Sequence, residues 1–346
     1  MPGHDRPAFS GRTAKDSRHT MKLIIQIPCY NEAGTLPIAL AALPRSVPGF
    51  DSVEWLVIDD GSSDDTARIA REHGVDHVVR HTRNQGLARG FMTGLDACLR
   101  LGADVIVNTD ADNQYNAGDI PALVAPIVAG EADIVVGARP IETIEHFSPI
   151  KKMLQKLGSW VVRVASQTDI PDAPSGFRAI SRAAAQRLVV FSDYTYTLET
   201  IIQAGQKNMA ITSVPVGVNA DLRPSRLVRS IPSYIQRSIV TIIRIFVIYR
   251  PFRFFGILGA VLFGAGFLIG LRFLWYYFIG QGDGHIQSLI LAGALLVMGF
   301  QTLLVAFIAD LLAANRKLLE DIRARAIAIE MDRPSHGERG GEGGSP

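Results

Sequence analysis

The sequence predicts an α/β domain with a mostly parallel sheet, joined to a two-span membrane hairpin. Three observations carry this. Short β-branched runs alternate with amphipathic stretches from Met21 to about residue 220, each apolar run ends in a polar cluster, and two long stretches after Phe254 are almost free of charge. The 346 residues are 48% hydrophobic, a high share for a chain wholly in water.

Residues 1–20 are polar and basic, lack the apolar centre of a secretory signal, and read as a disordered extension. The α/β domain spans 21–229. Its strand candidates are Leu23 to Ile27, Trp55 to Ile58, His77 to Val79, Val105 to Asn108 and Ile134 to Val136. Helical candidates lie between them at Leu36 to Leu43, Asp65 to His73, Leu87 to Leu101 and Ile120 to Ala129. Ligands of open parallel sheets bind beyond the carboxyl ends of the strands, so the polar clusters there are where chemistry is expected.

Residues 230–253 alternate apolar stripes with Arg237 and Arg244 and read as an interfacial amphipathic helix. Residues 254–312 hold two apolar stretches, Phe254 to Gly280 and Ile286 to Leu312, each longer than the roughly 20 residues that cross a bilayer core. Basic residues flank the pair on the outside (Arg250, Arg253, Arg316, Lys317) and are absent from the Gln281 to His285 link. That asymmetry predicts a multi-pass membrane protein whose catalytic half and both termini are cytosolic, with 313–346 as a tail. Trp275, Tyr276 and Tyr277 fit an aromatic belt at the far interface, toward which Arg272 snorkels.

The net charge of +2 makes no case for nucleic acid, and Cys29 and Cys98, the two cysteines, form neither a disulfide framework nor a zinc site. After the first strand there is no Gly-x-Gly-x-x-Gly, which argues against a dinucleotide enzyme.

Asp110-Ala111-Asp112-Asn113-Gln114 follows the apolar run Val105 to Val107. If extended, it points oxygens of Asp110, Asp112 and Gln114 to one side, a hard-oxygen set suited to Mg2+ or Mn2+ held together with substrate phosphates. Asp59-Asp60-Gly61-Ser62-Ser63 and Pro28-Cys29-Tyr30-Asn31-Glu32 close two further runs, so three strand ends carry carboxylates. Taken together these segments resemble family 2 glycosyltransferases of GT-A (Rossmann-like) fold, in particular the polyprenyl-phosphate group typified by dolichyl-phosphate mannose synthase. The likeness covers about residues 21–230 and extends to the two-span tail of some bacterial members.

The resemblance implies a nucleotide-sugar pocket lined by Pro28, Tyr30, Glu32, Asp59, Asp60, Asn84 and Asp110, with Gly61 allowing close backbone approach and Ser62 and Ser63 capping the next helix. It implies a metal held by Asp110, Asp112 and Gln114. Arg83-Asn84-Gln85-Gly86 with Arg89-Gly90 resembles the donor-side element, where Gly86, Gly90 and Gly94 serve either it or close helix packing. Tyr115-Asn116 departs from the Pro-rich step of many relatives. Arg139 and Arg178, the latter in Ser175-Gly176-Phe177-Arg178, are expected to clamp phosphate and act in catalysis with Asp112, joined at the acceptor phosphate by Lys151, Lys152 and Arg226. Glu199, in a segment that resembles the acidic element near the acceptor, orients a sugar hydroxyl or pairs with an arginine.

The reaction implied is transfer from a UDP- or GDP-sugar to undecaprenyl or dolichyl phosphate. An anionic phosphate oxygen needs no strong general base, so in-line displacement with inversion is expected. A processive polysaccharide synthase is the rival in this class, but no Gln-x-x-Arg-Trp element occurs. The other rival is a non-catalytic membrane adaptor. The resemblance allows a homo-oligomer, for which the sequence carries no interface signature.

Overall fold

The computed structural model describes residues 20–140, 153, 160, 162–163, 166–190, 196–220, 240, 243–244, 247–280 and 282–332. Its sheet contains β1 (Lys22–Cys29), β2 (Ser52–Asp59), β3 (His77–Arg80), β4 (Val105–Asn108), β5 (Ile134–Ala138), β6 (Arg178–Ser181) and β7 (Ile211–Pro215), in the order β3-β2-β1-β4-β6-β5-β7. Pairing is parallel except at β6, which runs antiparallel to β4 and β5. The mostly parallel sheet is as expected, whereas β6 and β7 were not foreseen as strands. β6 is short and opens on an arginine, and β7 is a half-exposed edge strand ending in proline, so neither presents a long apolar run.

Among the described residues the helices beside this sheet are α1 (Leu36–Ala42), α2 (Thr66–Glu72), α3 (Leu87–Arg100), α4 (Ile120–Val128), α5 (Arg182–Arg187) and α6 (Thr197–Gln206). Strand side chains alternate between faces, so Ile24, Leu56 and Ile106 join Phe91 and Leu95 of α3 in one core, while Leu23, Ile25 and Val107 join Leu40 and Leu123 in the other. Burial on both faces is why β1 reads as an almost unbroken apolar run.

Gly86, Gly90 and Gly94 do different things. Gly86 caps α3 at φ +90°, Gly90 has Pro28 no nearer than 3.7 Å, and Gly94 lies so close to β1 that a Cβ would stand 2.3 Å from Oε1 of Gln26. Gln26 is buried and donates to Oδ1 of Asn108 at 2.9 Å, so it has little room to yield. Gly94→Ala is therefore expected to cost about 1–3 kcal/mol by overpacking, read as a lowered melting temperature, with Gly90→Ala nearly neutral.

Beyond the sheet, α7 (Pro251–Phe278) and α8 (Ile286–Asp332) form a hairpin through the turn Gly282–His285. Both contain segments long and apolar enough to cross a membrane, and most of that surface is exposed. Glycines bring the two backbones together: a Cβ on Gly299 would lie 2.4 Å from the Phe263 nitrogen, and one on Gly266 would lie 2.8 Å from that of Leu296. Such small-residue contacts are what holds helices together where lipid removes the hydrophobic driving force. Arg272 is exposed, with its guanidinium 5.6 Å from the ring of Tyr276, one turn nearer the aromatic end of the helix.

The second apolar helix does not stop at Leu312. Residues 313–332 contain no Gly or Pro and are rich in helix-forming Ala, Leu, Arg and Glu, and the helix continues to Asp332. Residues 1–19 and most of the expected amphipathic segment at 230–253 lie outside the described residues.

Candidate active site

Register places the candidate residues on one rim. Cys29 at the end of β1 is level with Asp59 at the end of β2, and Asn108 at the end of β4 is level with both Gln26 and Arg178. Because β6 is antiparallel, its first residue, Arg178, meets Asn108, the last residue of β4, and Val136, two residues short of the end of β5. The Cys29 thiol is buried and is pushed up by burial first and by the charges of Glu32, Asp59, Asp110 and Asp64 next.

Asp110 to Gln114 is not extended. A turn at Ala111 and Asp112 followed by a left-handed Asn113 (φ +58°) folds the segment, and the Gln114 N–H donates to Oδ1 of Asp112 at 3.2 Å. The turn brings Asp112 close enough that burial first, and its charge second, push the Asp110 carboxyl up to about 7, against the opposing charge of Arg139. Gly176 makes room for this arrangement, since a Cβ there would sit 3.1 Å from Oδ2 of Asp110. Beneath lies a buried polar floor in which Asn108 donates to the Gly176 carbonyl and the Tyr196 hydroxyl, both at 2.9 Å. Tyr196 stacks on Phe91 with ring centroids 3.9 Å apart.

The β1 and β2 loops are braced to each other. Ser62 and Ser63 do not cap α2; the Ser62 hydroxyl accepts from the Asn31 N–H, and Oδ1 of Asn31 accepts from the Ser63 N–H. Glu32 is buried and accepts from the Thr35 hydroxyl at 2.6 Å, whereas Pro28 is half-buried and Tyr30 exposed. Asp59 is buried, with Oδ1 accepting from the Ser62 N–H and Oδ2 3.1 Å from Nε of Arg80. Asp60 is spent internally: it accepts from the N–H groups of Gln85 and Gly86, both at 2.8 Å, and pairs with His81, whose other ring nitrogen meets the Thr93 hydroxyl. It thus holds in place the loop bearing the exposed Asn84. Gly61, at φ +69°, has the Arg83 backbone where a Cβ would go, so the same loop is pressed against it.

The two arginines differ. Arg139 is held by Asp172 through Nε at 2.7 Å and Nη2 at 3.0 Å, with the Arg139 N–H also donating to the same carboxylate. Arg178 is fully buried: Nε donates to the Ser175 carbonyl, Nη2 to the Ala173 carbonyl and Nη1 to the Thr200 hydroxyl, and burial holds its pKa down at about 10. The direct phosphate clamp expected of Arg178 is not what this geometry offers. Glu199, expected near the acceptor, is buried against the Tyr249 hydroxyl. Lys151, Lys152 and Arg226 lie outside the described residues.

Sequence reasoning missed Asp172, His81 and Tyr115. Tyr115 had been noted only as a departure, yet its hydroxyl accepts from the Gly176 N–H at 2.9 Å and its ring stacks on Phe177. Asp172 carried one signal, its place three residues before Ser175-Gly176-Phe177-Arg178.

A sheet whose carboxyl rim gathers paired acidic groups beside an arginine is the arrangement of a nucleotide-sugar-dependent transferase. The chain belongs to glycosyl transferase family 2, whose family model matches residues 24–189. Among its relatives is a polyprenol monophosphomannose synthase from Mycolicibacterium smegmatis, 28% identical over 227 residues that cover 62% of this chain and 84% of the relative. Another is a UDP-N-acetylglucosamine–dolichyl-phosphate N-acetylglucosaminyltransferase from Methanococcus voltae, 29% identical over 215 residues, 55% of this chain and 82% of that one. Glucosyl-3-phosphoglycerate synthase from Mycobacterium tuberculosis shares the fold, with a TM-score of 0.52 at 22% identity over 65% of this chain and 80% of that one. The chain is a glycosyltransferase of GT-A fold carrying a pair of long apolar helices.

Proposed function

We propose that this glycosyltransferase moves a sugar from a UDP- or GDP-sugar to a polyprenyl phosphate at the cytosolic face of a membrane, inverting the anomeric centre. The observation that carries the reading is the Asp110–Asp112 pair at the sheet rim of a chain that continues into two apolar helices. Relatives named for polyprenol and dolichyl phosphates support it. The basic outer flanks of the hairpin favour the cytosolic orientation.

A divalent cation, Mg2+ or Mn2+, fits the residues present. Burial first and the charge of Asp112 second raise the Asp110 carboxyl to about 7, and a cation held between the two would relieve both. Among the described residues no three acidic, His or Cys side chains form a self-sufficient cage, which suits an ion that draws further ligands from the donor diphosphate. Asp110 and Asp112 would hold it, with Gln114 as the remaining protein candidate; bound there, it would neutralise the leaving diphosphate.

The chain's own residues do the rest. Pro28, Tyr30, Glu32, Asp59 and the Asn84 loop line the nucleotide side, and Asp60 keeps that loop in register. Arg139, oriented by Asp172, supplies positive charge beside Asp110. Arg178 acts by shaping the Ala173 to Ser175 turn, while Lys151, Lys152 and Arg226 remain the candidates for the acceptor phosphate. An acceptor oxygen that is already anionic requires alignment more than proton removal.

The test is transfer of labelled sugar from UDP-glucose, UDP-N-acetylglucosamine and GDP-mannose to polyprenyl phosphate, with and without Mg2+ or Mn2+. Metal-dependent glycolipid of inverted configuration is expected; no glycolipid from any donor, with folded protein, sinks the reading.

The raised Asp110 carboxyl adds a pH dependence. Its folded pKa of about 7 exceeds the ordinary value of 3.8, so in metal-free protein its contribution to stability is full below about pH 4 and is lost as pH rises through 7. Metal binding has the opposite sense, because only the ionised carboxylate coordinates. The Mn2+ concentration for half-maximal transfer is expected to rise by about tenfold per pH unit below 7 and to level off above about pH 8. A requirement that stays constant from pH 5.5 to 8.5 would contradict this assignment.

A further inference from the structure

The sequence reading leaves the end of α8 without a role, yet this part of the helix returns to the catalytic domain. Glu320, 4% exposed, pairs with Lys207 at 3.1 Å and with Arg316 at 3.5 Å. Lys207 also donates to the Arg187 carbonyl at 2.7 Å, and Arg187 donates back to the Lys207 carbonyl at 2.9 Å, which ties the pair to the end of α5. The Arg316 guanidinium lies over the ring of Tyr249, 4.5 Å from its centroid. Tyr249, two residues before α7, is buried in the same core as Phe91 and Tyr196.

Both legs of the hairpin are thus fastened to one element, α6. That helix is capped by Tyr196, the floor of the site, at one end and by Lys207, the partner of Glu320, at the other. A strut of ten residues, roughly 15 Å long, therefore connects the groups beneath Asp110 to the membrane anchor. A buried ion pair is a poor device for raw stability, since desolvation offsets most of its attraction, but it enforces one relative placement because any other leaves a buried charge unpaired.

We propose that Lys207 and Glu320 are positioning residues that lock the catalytic cleft to the hairpin in one orientation, so that the phosphate of a membrane-embedded lipid is presented in line with the donor. This rests on the polyprenyl-phosphate reading above. Neither residue touches the site, so the lock governs acceptors held in a bilayer and leaves acceptors that diffuse in water unaffected.

The test compares two acceptors with the full chain in vesicles: undecaprenyl phosphate in the same bilayer, and water-soluble citronellyl phosphate. Glu320→Gln and Lys207→Met are each expected to lower transfer to undecaprenyl phosphate by about tenfold or more, while transfer to citronellyl phosphate stays within about twofold. The swapped pair Lys207→Glu with Glu320→Lys is expected to recover most of the loss. Citronellyl transfer also reports that each variant is folded. Equal losses with both acceptors, or no loss with either, overturn the lock while leaving the polyprenyl-phosphate reading intact. An unmodified chain that transfers to neither acceptor overturns both.

Discussion

Asp112→Ala is expected to lower sugar transfer by about 10²–10³-fold, the scale of losing one preorganised group that stabilises developing charge. The geometry explains why so small a change has so large an effect. Asp110 and Asp112 are brought together by the turn at Asn113. With Asp112 gone, a cation would keep a single carboxylate, and the carboxyl of Asp110 loses the neighbouring charge that, after burial, raises it most. Mn2+ binding, followed by the electron spin resonance of the free ion, is expected to weaken together with activity, and Asp112→Asn to behave like the alanine variant because an amide carries no charge. Retention of more than a tenth of the activity with an unchanged metal requirement would remove Asp112 from the site.

Arg178→Ala is expected to act on folding before it acts on catalysis. The guanidinium is sealed from solvent and satisfies Ser175, Ala173 and Thr200, so its loss leaves three buried acceptors and a cavity. A cost of about 3–5 kcal/mol follows, seen as a fall in melting temperature of roughly 10 °C or more in solubilised protein. Arg178→Lys recovers little, because one ammonium cannot reach three acceptors in the directions of a planar fork. A substrate clamp predicts the reverse, a raised KM at unchanged melting temperature, and that outcome would return Arg178 to the acceptor phosphate.

The contrast between Asp112 and Arg178 marks how far the sequence could be read. Strands β1, β2, β4 and β5 are apolar on both faces and announce themselves as runs. The order of carboxylates along the chain was enough to place Asp59 and Asp110 at strand ends. What could not be read was how each polar side chain is spent. Asp60 and Asp59 are adjacent and chemically identical, yet Asp60 is consumed by two backbone N–H groups and a histidine more than twenty residues away. The conformation of Asn113 is local and carries no periodic signal, so the extended reading of Asp110 to Gln114 failed. An arginine in a glycine-rich motif reads as a phosphate ligand; only the tertiary fold reveals that Arg178 starts an interior strand of the sheet, between β4 and β5.

The reversed direction of β6 also bears on how such an enzyme diversifies. The chain leaves the sheet at Arg139 and re-enters at Arg178, and both points lie on the same rim. In sequence the two points bound one contiguous connection, separate from the β1 and β2 loops that the function proposed above assigns to the nucleotide. Under that proposal a change of acceptor can be confined to this one connection, without disturbing the loops assigned to the donor.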